Sequence, residues 1–209
     1  MAKSAKQSNE KANLKGANKI NQKVIGKNAT APNPSAKQAN QSFQQEQNNS
    51  DNLNTGISEE NSKKVAQALN QVLADEFVLY VKTLNFHWNI EGPDFHALHL
   101  FLDDQYHQLQ TIIDSVAERV RKVGHFATGS MHEFLDSASL KEHSGAASVS
   151  EQMLGELASD HDAIIRKTRT LIDDFEEKYD DAGSSDFITG IMKEHEKMAW
   201  MLRASVRKS

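Results

Sequence analysis

Two imidazoles and three carboxylates stand at helical spacings near the middle of the chain: His87, His99, Asp103, Asp114 and Glu118. With His99 set to zero and about 100° per residue, Asp103 falls at about 40°, Asp114 at about 60° and Glu118 at about 100° around a helix. These four share one face. Imidazole nitrogen and carboxylate oxygen make a borderline-to-hard donor set, suited to iron, manganese or zinc rather than to a thiophilic metal. A solvated helix surface also carries His and acids at i, i+4. Two such pairs in phase, with His87 close by, favour the metal reading.

Reach then constrains the site. Asp103 and Asp114 are eleven residues apart, so they sit roughly 16 Å apart along a helix axis, whereas metal–ligand bonds are about 2 Å. One helix cannot close both ends on a single ion. If the five residues form one kind of site, the His99 and Asp103 end of one copy meets the Asp114 and Glu118 end of another. Antiparallel pairing across a two-fold axis does this and repeats the site twice. His87 would join the His99 end from its own chain. A di-iron site inside a single bundle uses Glu-x-x-His pairs, and no Glu here has a His three residues later.

The elements that must carry these residues are legible as periodicity. From Ser58 to Phe86 there is no Gly or Pro, and Val65, Leu69, Val72, Leu79 or Tyr80, and Leu84 recur at helical spacing. Gly92-Pro93 breaks the pattern, and a second helix is expected from Asp94 to Val123, stopped by Gly124. Residues 125–147 read as a long connection holding one short helical piece, Met131 to Leu135. Ser148-Val149-Ser150-Glu151 has capping-box spacing and opens a third helix ending near Tyr179; a fourth follows Gly183. With no credible strand, the class is all-α. Two long helices, a crossover and two more helices describe a ferritin-like four-helix bundle.

Composition divides the chain into two expected parts. Residues 1–56 hold 8 Lys, no Arg, 3 acids and 18 Asn or Gln, a net charge of +5; residues 57–209 carry −10. The first part has too little apolar surface to offset its ordering entropy and is expected to be a disordered arm. The second suits one domain. With no cysteine, disulfides, thiolate zinc and thiol catalysis are excluded. No apolar run approaches the roughly 20 residues that span a bilayer, and no signal-like h-region follows the N-terminal lysines, so a cytoplasmic protein is expected.

The stretch NFHWNIEGPDFHALHLFLDDQYHQLQTIIDSVAERV, residues 85–120, resembles the signature of the Dps family, the DNA-binding proteins of starved cells, or miniferritins. The likeness continues into EQMLGELASDHDAII and EHEKMAWMLRAS. The resemblance implies a homododecameric hollow shell that oxidises Fe(II), preferably with hydrogen peroxide, and stores the ferric product. It places two iron ions per centre on His87, His99 and Asp103 of one subunit and Asp114 and Glu118 of its two-fold mate. It also sets Trp88 beside the centre, where an oxidisable ring could intercept radicals, although a Trp buried in the bundle would be explained by packing alone. Asp180, Asp181 and Asp186 could attract Fe(II) to a pore, or could simply serve a helix start. His96, His107, His161 and His195 read as surface or helix-packing residues. Because the histidines must be neutral to coordinate, iron loading is expected to weaken as pH falls through about 6.5, the ordinary imidazole value.

The arm carries Lys3, Lys6, Lys11, Lys15, Lys19, Lys23, Lys27 and Lys37, five of them spaced every four residues. Twelve such arms on a shell would bind double-stranded DNA by avidity, without sequence preference and with a steep salt dependence. Lack of Arg and near-lack of aromatic residues argue against base readout or base stacking. Nucleoid association follows from that reading. Two other readings share the same residues: a nucleoid structural protein with vestigial oxidation, and an iron store whose arm never touches DNA.

Overall fold

The computed structural model describes residues 54–144 and 149–206. The arm lysines, Lys3 to Lys37, and the proposed cap Ser148 lie outside the described residues. Five helices and no strand occur among the described residues: α1 (Glu59–Asn89), α2 (Phe95–Lys122), α3 (Met131–Ser137), α4 (Ser150–Asp173) and α5 (Ala182–Val206). Helices α1 and α2 form one antiparallel hairpin, α4 and α5 form another, and α3 lies against α1 in the crossover. This is the ferritin-like four-helix bundle.

Each boundary has a local cause. Ser58 caps α1 by accepting from the Asn61 N–H at 3.2 Å, and Glu59 and Glu60 complement the helix dipole in its first turn. The helix closes at Asn89, where the Ile90 N–H donates to the Phe86 carbonyl. Its last turn carries His87. Gly92, at φ 121°, makes the reversal into α2. At the other end of α2, Gly124 (φ 92°) donates to the Arg121 carbonyl and His125 to that of Val120, a Schellman stop.

Side chains of α1 organise the crossover. Asp75, buried, accepts from the Ser139 N–H (2.6 Å), the Ser139 hydroxyl (2.8 Å), the Leu140 N–H (2.9 Å) and Lys167 (2.7 Å) on α4. Asn70 donates to the Phe126 carbonyl and accepts from the Thr128 N–H. Helix α3 starts with a capping box, Ser130 and Glu133, and presses Phe134 onto Phe77 with ring centroids 4.3 Å apart.

Helix α4 starts at Ser150 behind Val149, and the capping box read from Ser148 to Glu151 includes a residue outside the described ones. The helical run ends at Tyr179, as expected. Its last turn widens into a π-helix over Asp174–Lys178 before Tyr179. Asp181 then sets the first turn of α5, accepting from the Ser184 N–H (2.8 Å) and hydroxyl (2.6 Å).

Leu69, Leu79, Leu102, Leu154, Ile164 and Leu202 are among the fully buried residues of the core. A polar line runs through it. His195 Nε2 lies 2.8 Å from Glu76 Oε1, and His195 Nδ1 lies 2.8 Å from His161 Nδ1. Burial, the neighbouring His195 and Arg203 hold the His161 imidazole well below its ordinary value. His161 and His195 are thus helix-packing residues, while His96 and His107 are exposed.

Candidate metal centre

The α1–α2 hairpin brings three of the five expected ligands together. His87 stands on the last turn of α1 and His99 on the second turn of α2, with their rings stacked at 3.8 Å between centroids. Their backbones hold them reciprocally. His87 Nδ1–H donates to the His99 carbonyl and His99 Nδ1–H donates to the His87 carbonyl, each at 2.9 Å. A carbonyl can only accept, so the proton of each neutral ring is fixed on Nδ1 and each Nε2 lone pair is left bare. Metal-binding histidines are oriented in this way by an outer carbonyl.

Asp103, one turn further along α2, places Oδ1 3.9 Å from His87 Nε2. Its carboxylate is buttressed by Tyr106, whose hydroxyl donates to Oδ1 at 2.6 Å. That bond, opposed by partial desolvation and aided by His107, His87 and His99, lowers the Asp103 carboxyl below its usual range. The same bond pushes the Tyr106 phenol up to about 12. Sequence reasoning did not single out Tyr106. Its signal was the i, i+3 spacing from Asp103, which places a phenol beside a carboxylate on one helix face.

Asp114 and Glu118 are not brought to this group. Both are exposed on α2, and Glu118 pairs with Lys122 at 2.9 Å. Among the described residues of the single chain, no cluster of three or more His, Asp or Glu is arranged to hold a metal ion. On the single chain His87, His99 and Asp103 lie next to one another, and Asp114 and Glu118 stand about three turns or more further along α2.

Other expected residues fall differently. Trp88 is 68% exposed and Trp200 64% exposed on the chain, so packing inside the bundle does not explain either. Of the three acids expected at a pore, Asp181 is buried; it accepts from Arg119 Nη2 at 3.1 Å as well as from Ser184. Its charge is engaged at the helix start. Asp180 and Asp186 are exposed, Asp180 at φ 55° in the left-handed turn before α5. No helix among the described residues is long and apolar enough to cross a membrane.

The chain matches the family model described as a ferritin-like domain over residues 66–209. It is 42% identical to a low temperature-induced protein of Nostoc sp., over 74% of this chain and 86% of that one. It is 34% identical to DNA protection during starvation protein 2 of Bacillus anthracis, over 68% of this chain and 97% of the relative. Among solved structures, a Dps protein from Vibrio cholerae O1, described as a member of a broad superfamily of ferritin-like diiron-carboxylate proteins, aligns with a TM-score of 0.68 and 31% identity, covering 72% of this chain and 94% of that one. With the ferritin-like bundle and these matches in hand, the chain belongs to the Dps family, the miniferritins.

Proposed function

We propose that this protein is a ferroxidase and iron store that also protects DNA. The observation that carries the reading is the preformed His87, His99 and Asp103 group, with two bare Nε2 atoms, on the same helix as an acidic pair it cannot reach. Two-fold antiparallel pairing of α2 joins that group to Asp114 and Glu118 of a second copy, giving each centre two imidazoles and three carboxylates for two Fe(II) ions. Twelve copies then form the hollow shell that keeps the ferric mineral.

Fe(II) is the substrate. Two ions bound side by side supply two electrons together, so hydrogen peroxide takes both, with two protons, and leaves as two waters. No single-electron step releases hydroxyl radical. Carboxylates hold the harder Fe(III) more tightly than Fe(II), which favours oxidation. The chain fixes the His87 and His99 protons away from the metal and holds Asp103 ionised through Tyr106.

DNA contact falls to the arm, residues 1–56, because the remaining chain is net acidic and would repel phosphates. Twelve arms of +5 give about +60 per shell, enough for sequence-independent binding of double-stranded DNA. The name of the Bacillus anthracis relative supports protection of DNA. This reading makes the protein cytoplasmic and nucleoid-associated. Stopped-flow oxidation of Fe(II) by peroxide tests the centre: Asp114→Asn is expected to lose most activity, and unchanged oxidation would remove the assignment. Gel retardation tests the arm, since deletion of residues 1–56 is expected to abolish the shift.

A further inference from the structure

Helix α2 carries one more exposed imidazole on the ligand face, and the pairing above gives it a partner. The numbers 99 and 118, and likewise 103 and 114, average 108.5, so an antiparallel two-fold that unites both pairs crosses α2 between Gln108 and Leu109. His107 is one and a half residues from that point, about 2.3 Å along the axis, and lies at about 80° on the scale that puts Asp103 at about 40° and Glu118 at about 100°. The two copies of His107 therefore approach each other at the seam, about 4.5 Å apart along the helix direction. Gln110, at about 20°, comes opposite the other chain's copy of residue 107. Both are exposed on the single chain.

His107 is prepared as a ligand in the same manner as His87 and His99. Its Nδ1–H donates to the Asp103 carbonyl at 2.9 Å, which leaves Nε2 of the neutral ring bare, and the side chain is 58% exposed. Asp103 Oδ2, 3.4 Å from the same Nδ1, adds a second acceptor behind the ring. A buttress on Nδ1 directs the free nitrogen outward.

We propose that two copies of His107 bind a divalent cation on the two-fold axis, with the Gln110 carboxamide oxygens completing a two-nitrogen, two-oxygen set. Such a set suits a borderline cation such as Zn(II) or Fe(II). The ion would occupy the seam between the two centres, coupling its binding to the pairing that completes them. The proposal rests on the intersubunit reading above, and goes beyond its five ligands.

Zn(II) titration of the full-length protein, by calorimetry and by metal analysis after dialysis, tests it. Wild type is expected to bind about half an ion per chain more than His107→Gln, because one ion is shared by two chains. Asp114→Asn, with its centres broken, is expected to retain that half ion. Equal stoichiometry in wild type and His107→Gln overturns the proposal. His107→Cys separates the two levels of the argument, because this chain has no other cysteine and a short bis-maleimide can join it only to another copy. Linked chains with no zinc difference sink the axial site and leave the pairing standing. Absence of linking places the seam elsewhere and sinks both, since a bis-maleimide spans the separation that two imidazoles sharing one ion impose.

Discussion

Asp75→Ala should release the crossover while leaving the α1–α2 hairpin intact. The buried carboxylate accepts four hydrogen bonds, three from Ser139 and Leu140 and one from Lys167. A hydrogen bond to a charged group contributes about 1.5–3 kcal/mol, and removing one partner of a buried ion pair costs about 3–5 kcal/mol. These contributions overlap, because the four donors share one acceptor. Lys167 is 24% exposed and can turn to water, which draws the total towards the lower end, about 3 kcal/mol. At about 1.4 kcal/mol per factor of ten, the Ser139 and Leu140 amides should exchange about a hundredfold faster in the variant. Hydrogen exchange read by mass spectrometry over residues 138–144 measures this directly. Peptides from residues 80–105 should be unaffected, since the turn at Gly92 and the His87–His99 bonds owe nothing to Asp75. Unchanged exchange over 138–144, or loosening spread equally over both hairpins, would refute the anchoring argument.

Tyr106→Phe removes the 2.6 Å buttress on Asp103 and should weaken Zn(II) or Co(II) binding about 10–100-fold, with the Asp103 carboxyl returning towards its ordinary range; calorimetry at two pH values reads both effects. His161 is held neutral in the fold, so the unfolded chain takes up its proton first as pH falls below about 6.5. Stability should therefore be complete above that pH and decline below it, by up to about 1.4 kcal/mol per pH unit until the lowered folded-state value is reached. Urea unfolding at pH 7 and pH 5 should show the loss in wild type and a smaller loss in His161→Asn; equal losses would contradict it. DNA retardation by the full-length protein should weaken steeply between 50 and 200 mM salt, as about 10³–10⁵-fold losses attend six to ten phosphate contacts. A salt-insensitive shift would point away from the lysine arm.

The sequence made the helices and the ligand face legible because both rest on local spacing. Val65, Leu69, Val72 and Leu79 are buried as their period requires, but the stripe then moves to Phe86 and leaves Leu84 half-buried. An ideal repeat drifts around a long helix, which moves the buried stripe. Gly92 and Gly124 were readable because positive φ is a local demand. The π turn at Asp174–Lys178 was not, since its ring size depends on how α4 meets α5. Asp181 looked like one of three equivalent acids until the tertiary contact with Arg119 and Ser184 distinguished it. Likewise Glu76, His161 and His195 come from three helices, and no spacing within one segment relates them. Of the candidate centre, His87, His99 and Asp103 come together within one chain, whereas the proposed union with Asp114 and Glu118 would be a property of two chains.

Subunit mixing tests that union most directly. Asp103→Asn and Asp114→Asn proteins should each be inactive as ferroxidases, because every centre in either would lack one carboxylate. Dissociated, mixed in equal amounts and reassembled, half the two-fold pairs would combine one chain of each kind, and one of the two centres in such a pair would be intact. About a quarter of wild-type Fe(II) oxidation should return. If the mixture stays as inactive as its components after exchange of chains is verified by mass spectrometry, the ligands do not come from two chains and the account fails.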